Sequence, residues 1–101
     1  MAEIVTDRPA DRRFELHVDG VLAGYVDYRV SGSEYALPHT RVLDQFGGRG
    51  LGTVLVVGAL EQIAEQGGQV LPYCSFVPWV MRDRPDLAAL VPEARRAEFG
   101  L

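Results

Sequence analysis

The sequence has no lysine. All ten cationic side chains, histidines aside, are arginines, scattered among fourteen carboxylates for a formal charge of −4. Nucleic-acid binders gather basic residues into a patch, so no nucleic-acid partner is expected. Cys74 is the single cysteine. An intramolecular disulfide is impossible, a cysteine-rich metal site is excluded, and no bound metal is expected. Apolar runs are short, and none reaches the ~18 residues of a membrane span. The opening "MAEIVTDRPADRR" lacks the apolar centre of a secretion signal. These gaps point to a cytoplasmic protein with no membrane partner. Low-complexity tracts and internal repeats are missing as well.

What is present fits one small domain. The chain has 101 residues, 48% of them hydrophobic, which argues for a packed core rather than disorder. Residues 1–12 read as a polar, flexible leader, 13–92 as the folded domain and 93–101 as a tail. "RFELHV" alternates Phe14, Leu16 and Val18 against Glu15 and His17, the period of a half-buried strand. Asp19-Gly20 supplies a hairpin turn. "LAGYVDYRV" and "YALPHTRV" (35–42) continue as strands, with Pro38 marking an edge, a bulge or a strand end because it cannot donate. A helix is predicted over 51–66, stopped by Gly67-Gly68. A short strand follows at 69–74. A further helix is expected from Phe76, with Ser75 as its N-cap. The fold class is α/β (α+β). A mixed sheet of four to five strands has antiparallel N-terminal strands, and a strand–helix–strand crossover that makes its last pair parallel.

"FGGRGLGT" (46–53) sets four glycines and Arg49 directly before that helix. A helix N-terminus presents unpaired N–H groups and a partial positive charge. Glycine lets backbone come close to a ligand and adopt positive φ. The combination Gly47, Gly48, Arg49, Gly50, Leu51, Gly52 and Thr53 is an anion cradle whose natural guest is a phosphate or diphosphate. It lacks the Gly-Lys-Ser/Thr ending of a nucleoside-triphosphate loop. It also lacks the G-x-G-x-x-G spacing of a dinucleotide site, and no acidic residue stands ~20 positions on for a ribose. The alternative is a glycine-rich turn with a structural role only.

"GRGLGTVLVVGAL" resembles motif A of the GNAT N-acetyltransferase superfamily, R/Q-x-x-G-x-G/A followed by a helix. The chain from about residue 14 to 91 also resembles a compact GNAT-like family of about 100 residues. The residues carrying that likeness are Gly24 to Tyr28 in "AGYVDYR", "HTRV" (39–42), "GRGLG" (48–52) and "CSFV" (74–77). The resemblance implies acetyl-coenzyme A as cosubstrate, its pyrophosphate on the loop amides, with Val42 and Phe76 flanking it. It implies a small-molecule or protein amine as acceptor. Placing the motif's last glycine at Gly52 puts Gly47 where arginine or glutamine is usual; the alternative register is Gln45-x-x-Gly48-x-Gly50. The helices after the first strand and the final hairpin of a full-length GNAT fold are missing, and these normally wall the acceptor site.

Acetyl transfer to an amine needs a held donor, a neutral nucleophile and hydrogen-bond donors for the developing oxyanion. A lysine-like amine of pKa ~10.4 is under ~0.1% neutral at pH 7. The resemblance points to His39 and Cys74 as the catalytic pair. Cys74 can accept the acetyl group as thiolate with His39 taking its proton, or His39 can act on the amine directly. Each also has a plain structural reading, Cys74 as a space-filling residue and His39 as a turn residue. A coenzyme A-binding module without efficient turnover is the alternative function. The oligomeric state is open.

Overall fold

The computed structural model describes residues 2–101. Its strands are β1 (Glu3–Arg8), β2 (Arg13–Val18), β3 (Val21–Ser31), β4 (Glu34–Val42) and β5 (Gln69–Leu71). They lie in the order β1-β2-β3-β4-β5, antiparallel except for the parallel β4–β5 pair. Helix α1 (Leu51–Glu65) makes the crossover, and the short helices α2 (Phe76–Met81) and α3 (Pro85–Ala88) follow β5. This is the expected mixed α/β fold, with five strands where four to five were expected.

Local sequence explains most of it. Asp19 and Gly20 both take positive φ, 50° and 83°, as a two-residue hairpin turn requires. Helix α1 ends where Gly67 enters the left-handed region and Gly68 N–H donates back to the Ile63 carbonyl at 2.9 Å. One side of α1 lies across the strands, and α2 and α3 pack against it. Leu55, Val56, Leu60 and Ile63 are fully buried. Each such side chain contributes about 1.5–3 kcal/mol.

The stretch read as a flexible leader is instead strand β1, paired along its length with β2. Tertiary contacts hold it. The Tyr28 hydroxyl donates to Asp7 Oδ1 at 2.8 Å, and Gln62 Nε2 donates to the Val5 carbonyl at 2.8 Å. Burial, then the bond to Asp7, pushes the Tyr28 phenol above its ordinary pKa. Gly58 lets α1 approach this strand: a Cβ there would lie 2.6 Å from Val5 Cγ2.

Two further expectations change. Strand β5 stops at Leu71, short of Cys74, and Ser75 has helical backbone angles with no side-chain cap bond. Glu93–Phe99 forms a 3₁₀ stretch whose Phe99, with Leu101 beyond it, packs against the core. Among the described residues no helix is long and apolar enough to cross a membrane.

Candidate functional site

The site begins with an irregularity in β4. Asp27 pairs with His39 and Arg29 with Ala36, so Tyr28 of β3 faces both Leu37 and Pro38 of β4. Such a bulge shifts the side-chain alternation by one residue. Leu37 faces α1 and the core, and beyond the bulge Thr40 and Val42 take that face while His39 and Arg41 take the other. Val42 Cγ2 lies 3.5 Å from where a Gly52 Cβ would be.

Strand β5 keeps company with β4 only through Ala36↔Leu71. One further bond, from Cys74 N–H to the Leu37 carbonyl at 2.8 Å, ends the contact. The chain then turns into α2. A cleft of about 470 Å³ opens between the far half of β4, the glycine loop and α2.

The loop supplies its floor. A 3₁₀ turn over Asp44–Phe46 leads in, and Gly47 N–H donates to the Asp44 carbonyl at 3.1 Å. From Gly48 to Thr53 no backbone N–H has a partner among the described residues, and no side chain caps α1. Gly48 and Gly50 take φ of +76° and +72°, and beyond their chain neighbours no described atom lies within 4 Å of where their Cβ would be. Side chains there would be strained and would project into open space. Gly52 differs: a Cβ would meet the Phe76 ring at 3.1 Å, so this glycine lets α2 close on α1. A small residue is therefore needed at position 52, which favours the motif register ending there.

Of the residues expected to hold a cofactor, Val42, Gly47, Gly48, Gly50, Leu51, Gly52, Thr53 and Phe76 line the cleft. Two qualifications apply. The Gly47 amide is already engaged by Asp44 and has no N–H to offer. Arg49 does not line the cleft; its guanidinium lies over the Phe46 ring, 5.6 Å from the centroid.

Sequence reasoning missed Thr40 and Phe46 as lining residues, and Trp79 lines the cleft as well. Trp79 stacks on Phe76 with centroids 5.5 Å apart and remains 55% exposed. Thr40 Oγ1 is buried in the cleft wall and makes no hydrogen bond among the described residues. The motif "HTRV" flagged its neighbourhood, and the resemblance singled out His39 beside it.

The structure does not join His39 and Cys74 through any hydrogen bond. His39 sits on the sheet face away from α1, with Nδ1 3.4 Å from Asp27 Oδ2. Its ring lies 6.1 Å from that of Tyr25. Cys74 is half-buried and packs against the core from beyond β5. The two residues flank the place where β4 and β5 part. Among the described residues no group of three or more His, Cys, Asp or Glu is placed to hold a metal ion.

The chain can be compared with known proteins on this geometry. The solution structure of a GCN5-like protein from Staphylococcus aureus superposes with a TM-score of 0.64 at 21% identity, covering 88% of this chain and 87% of that one. N-acetylglutamate synthase from Neisseria gonorrhoeae, in complex with coenzyme A and N-acetyl-glutamate, superposes with a TM-score of 0.53 at 18% identity. That likeness covers 88% of this chain and 22% of the synthase. Both show likeness of fold. No curated protein matches the sequence. Residues 13–90 match the family profile of the GCN5-related N-acetyl-transferases, and with the split sheet and the glycine loop at the start of α1 this places the chain in that family.

Proposed function

We propose that the protein transfers an acetyl group from acetyl-coenzyme A to an amine, with the diphosphate held by the loop amides from Gly48 to Thr53. The observation that supports this most is the run of unpartnered N–H groups at the start of α1, beside two glycines with open space where a Cβ would be. Aligned amides and the helix dipole favour an anion there. Arg49, on the same loop, adds a cation.

From the loop, the donor's pantetheine arm follows the bare edge of β4, between Val42 and the Phe76–Trp79 pair. That edge has no β5 partner beyond Leu37, so its backbone groups can bond an extended amide chain. Thr40 and His39 are successive residues on this edge and point to opposite faces. A thioester reaching them meets the orphaned Thr40 hydroxyl on the cleft side, where donation to the carbonyl oxygen offsets the charge that builds on it. On the other side His39, oriented by Asp27, takes a proton from the acceptor ammonium. The neutral amine nitrogen then bonds to the carbonyl carbon and the carbon–sulfur bond breaks. The second nitrogen proton goes to the departing thiolate, giving an amide and free coenzyme A.

Cys74 stands at the parting of the two strands, next to Ser75 and the cleft-lining Phe76. Relay through its thiol is the second route, with the acetyl group held briefly as a thioester. The uncovered sheet face around His39 favours a binding module with no efficient turnover as the alternative. One set of assays separates these readings. Thiol release with an amine panel, lost in His39→Ala and kept in Cys74→Ala, supports direct transfer. An acetyl adduct in the intact mass that vanishes in Cys74→Ala supports the relay. Tight coenzyme A binding with neither signal leaves the module. Gly50→Val should abolish coenzyme A binding in every case, and unchanged affinity in that variant contradicts the loop assignment.

A further inference from the structure

The sheet face turned away from α1 carries charge that the donor site does not use. Helix α1 lies across the other face, and α2 and α3 pack on α1. The pairing places Arg13, Asp27 and His39 in one row across β2, β3 and β4, and Glu15, Tyr25 and Arg41 in the next. Arg29 follows Asp27 by two residues on the same face. In a chain of formal charge −4, this face holds Arg8, Arg13, Arg29 and Arg41 against the carboxylates Glu15, Asp27 and Glu34.

The cations divide into two kinds. Glu15, whose side chain is 10% exposed, draws Arg13 to 2.7 Å and Arg8 to 3.5 Å. Arg13 also lies over the Tyr25 ring at 4.5 Å. These two arginines are committed within the protein. Arg29 and Arg41 are exposed and have no ion-pair partner among the described residues. They stand on either side of the Asp27–His39 pair, each about 6.6 Å along a strand from one member of it. Asp27 is 41% exposed and faces His39, while Glu34, the other carboxylate of this face without an arginine partner among the described residues, lies at its far end opposite Ser31.

Resting on the proposed transferase reading, we propose that the acceptor docks on this face and is an amine that also carries an anionic group, such as a carboxylate. Its ammonium lies at Asp27 and His39, and its anionic group lies against Arg41 or Arg29. Arginine suits a carboxylate or phosphate because its planar fork donates two parallel bonds. A polyamine or a lysine-rich peptide tail would bring further cations beside His39 and Arg41 with no anionic group of its own to meet the unpaired guanidinium, so it is the poorer fit. The amine then lies beside His39 at the bare edge of β4, across that strand from the donor cleft.

Nitrogen-15 NMR titrations of the whole chain, with and without saturating coenzyme A, test this using glutamate, alaninamide and spermidine as probes. Glutamate should move the amide signals of Asp27, Arg29, His39 and Arg41. Its Kd should rise at least tenfold in Arg41→Gln or Arg29→Gln, with coenzyme A still moving the loop signals as before. Alaninamide and spermidine should bind at least tenfold more weakly than glutamate. Tighter binding of spermidine or alaninamide overturns the proposal. So does glutamate affinity that neither arginine variant changes, or no perturbation of this face by glutamate at millimolar concentration. The loop signals report separately whether the donor reading stands.

Discussion

The two halves of β4 are held differently. Glu34–Ala36 pair on both edges, with β3 on one side and β5 on the other, whereas His39–Val42 pair with β3 alone and turn their second edge to the cleft. The closed half runs into Leu37, which is fully buried, while the open half carries the buried Thr40 hydroxyl, which has no hydrogen-bond partner among the described residues. The bulge at Leu37 and Pro38 divides them. Pro38 has no N–H to give a neighbour, so pairing beyond it loses a bond at once. Bare strand edges are a liability in most proteins. Here the edge ends against a loop whose amides from Gly48 to Thr53 are unpartnered among the described residues, so the proposed donor site and the closed, buried pairing fall on different halves of one strand.

Substitutions along β4 can break or sharpen this division. The largest effect is expected from Leu37→Ala, which should cost about 2–5 kcal/mol, read as a drop in the urea midpoint. A midpoint that hardly moves would mean the closed half is not what holds the sheet. His39→Ala comes next. It should lower kcat/KM for amine acetylation by roughly 10²–10³ and leave the melting temperature within a few degrees, since the ring is exposed. Full activity would move proton uptake to another group.

Thr40→Val is smaller and more discriminating. Removing a hydroxyl that has no partner should leave stability within about 0.5 kcal/mol or raise it, while donor turnover falls roughly tenfold. A loss of more than about 1 kcal/mol would show that the hydroxyl has a partner inside the fold, and the contrast between the halves would fail. Pro38→Ala should change stability by under ~1 kcal/mol. Its value lies in hydrogen exchange: protection spreading to Thr40 would show that the proline alone keeps β5 from continuing.

How much of this could be read beforehand depended on whether the cause was local. The hairpin at Asp19-Gly20, α1 with its glycine stop and the glycine loop at its start rest on neighbouring residues, and all three appear where the sequence places them. Strand β1 was invisible because its core-facing positions are Glu3, Val5 and Asp7, while Ile4 is 59% exposed. The alternation is inverted, and what fixes the strand comes from Tyr28, Gly58 and Gln62 far along the chain. The β4 bulge misled in the same way. Strict alternation groups Leu37 with His39 and Arg41, and only the extra residue opposite Tyr28 sets Leu37 with Thr40 and Val42. That single slip hid Thr40 and set His39 on the sheet face away from Leu37 and α1. Cys74 was read as ending a strand that in fact stops at Leu71, because the parting of β4 and β5 leaves no trace in local composition.

The central claim is that the amides at the start of α1 grip a diphosphate. Titrating the nitrogen-15-labelled protein with coenzyme A tests it most directly. The largest shifts should fall on Gly48 to Thr53, be reproduced in part by inorganic pyrophosphate, and be lost in Gly50→Val. Shifts centred elsewhere, or none at millimolar coenzyme A, would contradict it.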